Sequence, residues 1–209
     1  MESLLIRCVR HFRARRMRRF VRELGVTADS TILDVGGTPL NWSLLRFRPR
    51  IVLLNTTREQ RPEPGWTFVA GDGRSLPFRD RSFDIVFSNS VIEHVGEEAE
   101  QRRFASEAAR VGRQYWIQTP DRHFPVEPHL LTPFLHLLPG RWQAWIARRF
   151  TVWAVLVRPT PDRWQFYIEH YLNDIHLLTD SGLRELFPDA QIRHERFLGM
   201  SKSLIAERH

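Results

Sequence analysis

Five short apolar runs recur between Thr31 and Gln118, each separated from the next by a turn or a helical stretch. They are Thr31–Val35, Arg50–Leu54, Trp66–Ala70, Phe83–Ser88 and Gln114–Gln118. Strands that are apolar throughout, rather than alternating, belong in a sheet covered on both faces, and such sheets are mostly parallel. Glu97–Val111 supplies one covering helix, with Phe104, Ala108 and Val111 on one side. Thr179–Phe187 predicts another, capped by Thr179 or Asp180. Gln191–Leu198 and Ser203–Ala206 read as two last strands forming an antiparallel pair. The expectation is a doubly wound, mostly parallel, seven-stranded α/β sheet with an antiparallel final strand. Ligands in such sheets sit beyond the carboxyl ends of the strands.

A chain of 209 residues, 42% of them hydrophobic, is enough for one domain with a real core, so residues 1–209 are read as one unit. Its rhythm breaks at residues 120–178. This stretch is rich in Pro, Trp, Phe and His, and Trp142, Trp145, Ile146, Trp153 and Leu156 recur at helical spacing. It reads as a helical, aromatic insertion hanging over the ligand end of the sheet, a lid. Residues 1–25 read as a basic helix ended by Gly25, and Trp42–Arg46 as a short one. No run is long enough to span a bilayer, and the apolar start is too short for a signal peptide. With a single cysteine, Cys8, a cytoplasmic location is expected, possible contact with a membrane surface included.

The net charge is +7, and Lys202 is the only lysine. Arg7, Arg10, Arg13, Arg15, Arg16, Arg18, Arg19 and Arg22 crowd the first helix. Two readings stand. The helix is a solvated one packed on the sheet edge through Val9, Phe12, Phe20, Val21 and Leu24, or it meets the phosphates of RNA or of an anionic membrane. A homodimer through this helix is a further expectation.

The most informative motif is Ile32-Leu33-Asp34-Val35-Gly36-Gly37-Thr38-Pro39. A strand carries a carboxylate near its end and runs into two glycines, where a ligand can approach the backbone without meeting a Cβ. Downstream come Gly71-Asp72-Gly73-Arg74-Ser75-Leu76-Pro77-Phe78, Phe83-Asp84-Ile85-Val86-Phe87-Ser88-Asn89 and Val91-Ile92-Glu93-His94-Val95. In this order the segments resemble the class I S-adenosylmethionine-dependent methyltransferases, over about residues 31–122. The resemblance implies a Rossmann-like fold, S-adenosylmethionine as cofactor and methyl transfer as activity. It implies that Asp34, Gly36, Gly37 and Thr38 hold the methionine moiety. Asp72 and Gly73 would meet the adenine, and Ser88 and Asn89 would lie near the sulfonium. Two departures stand out. Asn55 replaces the acidic residue that grips the ribose, and the later glycines of the loop are Thr38 and Leu40.

The acceptor is less constrained. Ser88-Asn89-Ser90-Val91 lacks the two prolines and aromatic that follow this strand in enzymes methylating exocyclic amines of DNA bases. The aromatic lid fits a small-molecule acceptor, with methylation of an oxygen in secondary-metabolite, glycan or lipid tailoring the leading expectation. RNA methylation through the arginine-rich helix is the alternative. A non-catalytic scaffold at a membrane surface is another. A hydroxyl acceptor with a high pKa needs a base, and His94, His123 and His129 are the candidates, with Glu93 and Glu127 as partners. Glu93, His94, Glu127 and His129 do not follow a recognised ligand spacing, so no metal is expected.

Overall fold

The sheet is assembled from the runs the sequence marks out. A computed structural model describes residues 4–56 and 66–209, with side chains from residue 10 onward. The first helix, α1, is Leu4–Glu23, followed by Gly25 in the left-handed region at φ +60°. Residues 1–3 and the side chains of Arg7 and Val9 lie outside the described residues. Strands β1 (Thr31–Val35), β2 (Arg50–Asn55), β3 (Thr67–Ala70), β4 (Phe83–Asn89) and β5 (Gly112–Pro120) follow, with helix α3 (Glu98–Val111) between the last two. Helix α7 (Asp180–Leu186) and strands β8 (Gln191–Phe197) and β9 (Met200–Arg208) close the chain. The strand order is β3-β2-β1-β4-β5-β9-β8, and β9 alone runs antiparallel to its neighbours. The expected doubly wound, seven-stranded sheet is therefore present, its final strand inserted between β5 and β8.

Both faces are covered. Phe104, Ala108 and Val111 of α3 and Leu183 of α7 bury one face. The other is covered by α1, through Met17, Phe20 and Leu24. Phe20 sits edge-on to Phe87 at 4.8 Å and to Trp116 at 5.7 Å between ring centres. These partners lie on β4 and β5, so α1 packs across the middle of the sheet and not on its edge. Burying a ring the size of Phe20 contributes roughly 2 kcal/mol, and only the middle of a sheet offers partners on all sides.

Arg16 gives α1 a second attachment. It is 7% exposed and turns inward. Its guanidinium donates to Glu195 on β8 at 2.5 Å, to Gln118 on β5 at 2.7 Å, and to Asn89 on β4. A planar, five-donor group suits such a three-way clasp. This arginine is not available to a phosphate.

Between β1 and β2 the short helix α2 is Pro39–Trp42, three residues earlier than the apolar spacing suggested. Proline has a helical φ and no N–H to leave unpaired, so Pro39 starts the helix. Residues 121–178 form the insertion read from the sequence as a lid. Asp121 pairs with Leu178, and Arg122 N–H donates to Leu178 O at 3.0 Å, so the insertion leaves and returns at one point. It opens with a hairpin absent from the sequence reading, β6 (Val126–Glu127) and β7 (Thr132–Pro133). Helices α4 (Gly140–Ala147), α5 (Val152–Val157) and α6 (Pro161–Asp174) follow. The lid has its own core, which includes Leu130, Leu135, Ala147, Trp153, Ile168 and Tyr171. The stripe seen in sequence is split between α4 and α5, and Trp142, Trp145 and Leu156 point outward. Among the described residues no helix is long and apolar enough to cross a membrane.

Candidate active site

A cleft of about 340 Å³ opens at the carboxyl ends of β1, β2 and β4. Gly36, Asn55, Asp72, Gly73, Ser90 and His94 are among the residues that line it. Gly36 has φ +74°, and its N–H donates to Leu54 O at 2.7 Å. A Cβ there would stand 2.4 Å from Val91, and one at Gly73 would stand 2.8 Å from the Phe104 ring. Both positions need glycine because backbone and side chain already touch where the cleft is formed. Asn55 donates from Nδ2 to Gly37 O at 2.8 Å and so ties β2 to the glycine turn.

Asp72 is held by Arg74. The guanidinium contacts Oδ2 at 2.6 Å, and the Arg74 N–H donates to Oδ1 at 2.8 Å. These hydrogen bonds keep the Asp72 carboxyl below its usual range, against a small opposing effect of burial. Arg74 also reaches Val95 O at 3.2 Å, across the cleft from Asp72. Sequence reasoning passed over Arg74. It also passed over Ser90, whose signal is backbone strain: φ is +57°, a rare value for a serine. Ser90 N–H donates to Gln118 O at 2.9 Å, which fixes that turn.

Other expected cofactor residues lie outside the cleft wall. Asp34 is fully buried beneath the glycine turn. It accepts from Trp42 Nε1 at 2.7 Å, while its Oδ1 has no partner. Burial pushes its carboxyl up to about 7, with the Trp42 bond opposing. A Cβ on Gly37 would fall 1.9 Å from this carboxylate, so Gly37 is small to make room for Asp34. Thr38 is exposed and precedes α2. Ser88 is buried and donates to Val35 O at 3.0 Å, and Asn89 is taken by Arg16.

Of the three histidines, two come together. His94 ends a short 3-10 turn, Ile92–His94, after β4, and His129 lies in the β6–β7 turn. Their Nε2 atoms are 3.2 Å apart. His129 Nδ1 meets Glu127 Oε1 at 2.7 Å, and Glu127 also accepts from the backbone N–H groups of His129 and Leu130. Glu93 is fully buried beside them, accepts from Thr119 Oγ1 at 3.0 Å through Oε2, and has no partner for Oε1. His170 of α6 stacks on His94 at 5.3 Å and meets Asp174 through Nδ1 at 2.8 Å. Burial, with His129 and His170 nearby, lowers His94 to about 4. Burial also pulls His129 down, but the bond and charge of Glu127 outweigh it and the net shift is upward. Burial raises Glu93 to about 7. His123 is not part of the group; its side chain is 72% exposed beside Asp121.

A family model described as "Methyltransferase domain" matches residues 47–114, from just before β2 into β5. Over this third of the chain the sequence is similar to that family. The motifs of the sequence imply S-adenosylmethionine as the cofactor. Solved structures share the fold over most of their length. One is a complex of the Haloferax volcanii Trm112 methyltransferase activator with a protein assigned as a methyltransferase. That match has 16% identity and a TM-score of 0.58, over 94% of this chain and 87% of that one. PH0226 from Pyrococcus horikoshii gives 16% identity and 0.58, over 99% and 91%. A Methanosarcina mazei protein of the SAM-dependent methyltransferases gives 13% and 0.52, over 87% and 92%. At such identities the likeness is one of fold. No curated protein matches the chain.

The residues present fit the cofactor. Asn55 and Asp72 bring polar side chains to the cleft wall beside the backbone of Gly36 and Gly73. The volume lies within the range of small-molecule pockets.

Proposed function

We propose that this chain transfers a methyl group from S-adenosylmethionine to an oxygen of a small-molecule acceptor, in secondary-metabolite, glycan or lipid tailoring. One observation carries the reading: His94 belongs both to the cofactor cleft and to the histidine pair made with the lid. When bound, the cofactor supplies an electrophilic methyl on a sulfonium. The chain must then position an acceptor in line and exclude water. Asn55, Gly36, Asp72 and Gly73 are the proposed cofactor contacts. His94 and His129 are the proposed acceptor-side groups, with Glu127 orienting His129. The lid residues His129 and His170 meet the sheet at His94, and His176 N–H joins Glu93 O at 2.8 Å. These contacts support an acceptor position beside His94, where the insertion meets the sheet.

Calorimetry with S-adenosylhomocysteine tests the first half, and micromolar binding is expected. Incubation with methyl-labelled cofactor and a panel of phenols, sugar derivatives and lipid alcohols tests the second. Absence of cofactor binding by a folded sample overturns the reading.

A lipid surface is favoured as the place of work by the outer side of the lid. Trp142, Trp145, Phe150 and Phe166 are each about half exposed or more. Arg141 and Arg149 lie over Trp142 and Trp145 at 5.9 and 4.6 Å from the ring centres. Aromatic rings interleaved with arginine suit an anionic interface. Sedimentation with vesicles containing phosphatidylserine should carry the chain down, and Trp142→Ala with Trp145→Ala should leave it in solution. Equal sedimentation of the double variant would remove this reading.

A further inference from the structure

Glu93, His94 and His129 present one ligand atom each, all within 4.8 Å of one another. The two imidazole nitrogens face each other at 3.2 Å, and Glu93 Oε1 is 4.0 Å from His94 Nε2. The two nitrogens match one edge of a coordination polyhedron around a small ion, and the carboxylate oxygen lies somewhat wider, at 4.0 Å. Metal–nitrogen and metal–oxygen bonds of about 2.0–2.2 Å put ligand atoms about 3 to 3.5 Å apart. We infer that Glu93, His94 and His129 form a binding site for one divalent transition-metal ion.

Further observations support the site. Glu93 is 0% exposed and its Oε1 has no hydrogen-bond partner, so an uncommitted oxygen stands beside the two imidazoles. Its other oxygen is fixed by Thr119, which leaves Oε1 as the free ligand atom. Glu127 accepts from His129 Nδ1, so the neutral ring carries its lone pair on Nε2, facing His94. A carboxylate behind a ligating histidine is the usual outer support of such sites. Two histidines and one carboxylate suit zinc, manganese, iron or cobalt better than magnesium.

The site deepens the methyl-transfer reading and rests on it for what the ion does. Three protein ligands leave positions open, and His94 also lines the cofactor cleft. A hydroxyl oxygen of the acceptor is the group those positions would take, since a bound ion lowers the pKa of an oxygen it holds. The acceptor class is therefore an alcohol or phenol able to ligate a divalent ion through oxygen.

The test uses the full chain, stripped with a chelator, dialysed, and titrated separately with Zn²⁺, Mn²⁺ and Co²⁺ by calorimetry. One ion per chain is expected. Glu93→Gln and His129→Asn should each weaken binding at least tenfold, and Glu127→Ala by roughly 10- to 100-fold as an outer-support effect. An unchanged circular dichroism spectrum and melting temperature in Glu93→Gln and His129→Asn show that those variants are folded. The Co²⁺-loaded chain should change its visible spectrum on adding azide, which reports an open position. No saturable binding of any of the three ions, or equal binding by both variants, overturns the inference. An azide-insensitive spectrum overturns its acceptor part. A chain that binds one ion but no S-adenosylhomocysteine keeps the metal site and loses the methyl-transfer reading. A chain that binds S-adenosylhomocysteine but no ion does the reverse.

Discussion

Asp34→Asn should change how the stability of the chain depends on pH. The Asp34 carboxyl is fully buried with one oxygen unpartnered, and burial raises its pKa from 3.8 to about 7. A carboxyl raised on folding binds its proton more tightly in the native state. Its favourable contribution is present below the unfolded value and is lost as pH rises from 3.8 toward 7. The shift is about 3 units, each worth 1.36 kcal/mol, so the full loss is about 4 kcal/mol. Linkage puts less than half of it below pH 5 and most of the rest between pH 5 and 8. The wild type should therefore lose about 2 to 3 kcal/mol through this group between those two values.

Asparagine has the same shape and does not titrate. Its Oδ1 can still accept from Trp42 Nε1, while its amide N–H₂ meets the space where Asp34 Oδ1 has no partner. That unpaired donor costs roughly 1–3 kcal/mol, but the same amount at every pH. Only the difference between the two chains is needed, which removes the titration of Glu93 and every other group from the comparison. Urea unfolding followed by tryptophan fluorescence at pH 5 and pH 8 measures it. The stability of Asp34→Asn relative to wild type should rise by about 2 to 3 kcal/mol from the lower pH to the higher. An unchanged gap would mean that Asp34 ionises freely in the fold, and that its burial under the glycine turn is misjudged.

Three other outcomes are expected. Gly73→Ala places a Cβ 2.8 Å from Phe104 and 2.9 Å from Val35, so it should cost roughly 1–3 kcal/mol in unfolding and weaken S-adenosylhomocysteine binding by calorimetry; wild-type values for both would show that the wall can yield. Arg16→Ala removes a buried guanidinium shared by Glu195, Gln118 and Asn89, and should destabilise the chain by roughly 3 kcal/mol, whereas Arg22→Ala on the exposed side should cost well under 1 kcal/mol. Arg74→Ala should leave the melting temperature nearly unchanged, because its pair with Asp72 is about 40% exposed, and should tighten S-adenosylhomocysteine binding by releasing Asp72. Weaker binding by Arg74→Ala would instead make Arg74 a direct cofactor contact.

The sheet was readable because its strands are buried on both faces and so are written in apolar letters with polar ends. β1 and the start of β2 fall where the runs of Thr31 and Arg50 placed them. The lid was not readable in the same way. Its core residues bury one another, so no period relates them to the sheet, and an outward stripe such as Trp142 and Trp145 looks the same as an inward one. α6 did carry a signal: Thr160 caps it, accepting from Arg163 N–H, with Pro161 next. Asp34 misled for a different reason. A carboxylate at a strand end is oriented by whatever donor captures it, and Trp42, eight residues on, does so from below the turn.

The sequence named His94 and His129 as candidate bases with Glu93 and Glu127 as partners, but not that the two rings meet, nor that Arg16 turns inward. His94 and His129 are thirty-five positions apart, and neither neighbourhood has the spacing of a ligand pair. They meet because the insertion returns to its starting point at Asp121 and Leu178, which obliges the β6–β7 turn to fold back over the end of β4. Arg16 was hidden among eight arginines of one helix. It differs from them only because Phe20 fixes how α1 lies on the sheet, and one turn away from Phe20 the same face reaches the carboxyl ends of β4 and β5. The helix that composition suggested was an arm for phosphates thus braces the floor of the cleft, since Gln118, which Arg16 holds, also accepts from Ser90 Oγ at 3.1 Å. Losing that brace should loosen the turn that carries Ser90 and, four residues on, His94. Arg16→Ala should therefore weaken both S-adenosylhomocysteine and metal binding, although Arg16 touches neither site; an effect on stability alone would show that the turn holds itself.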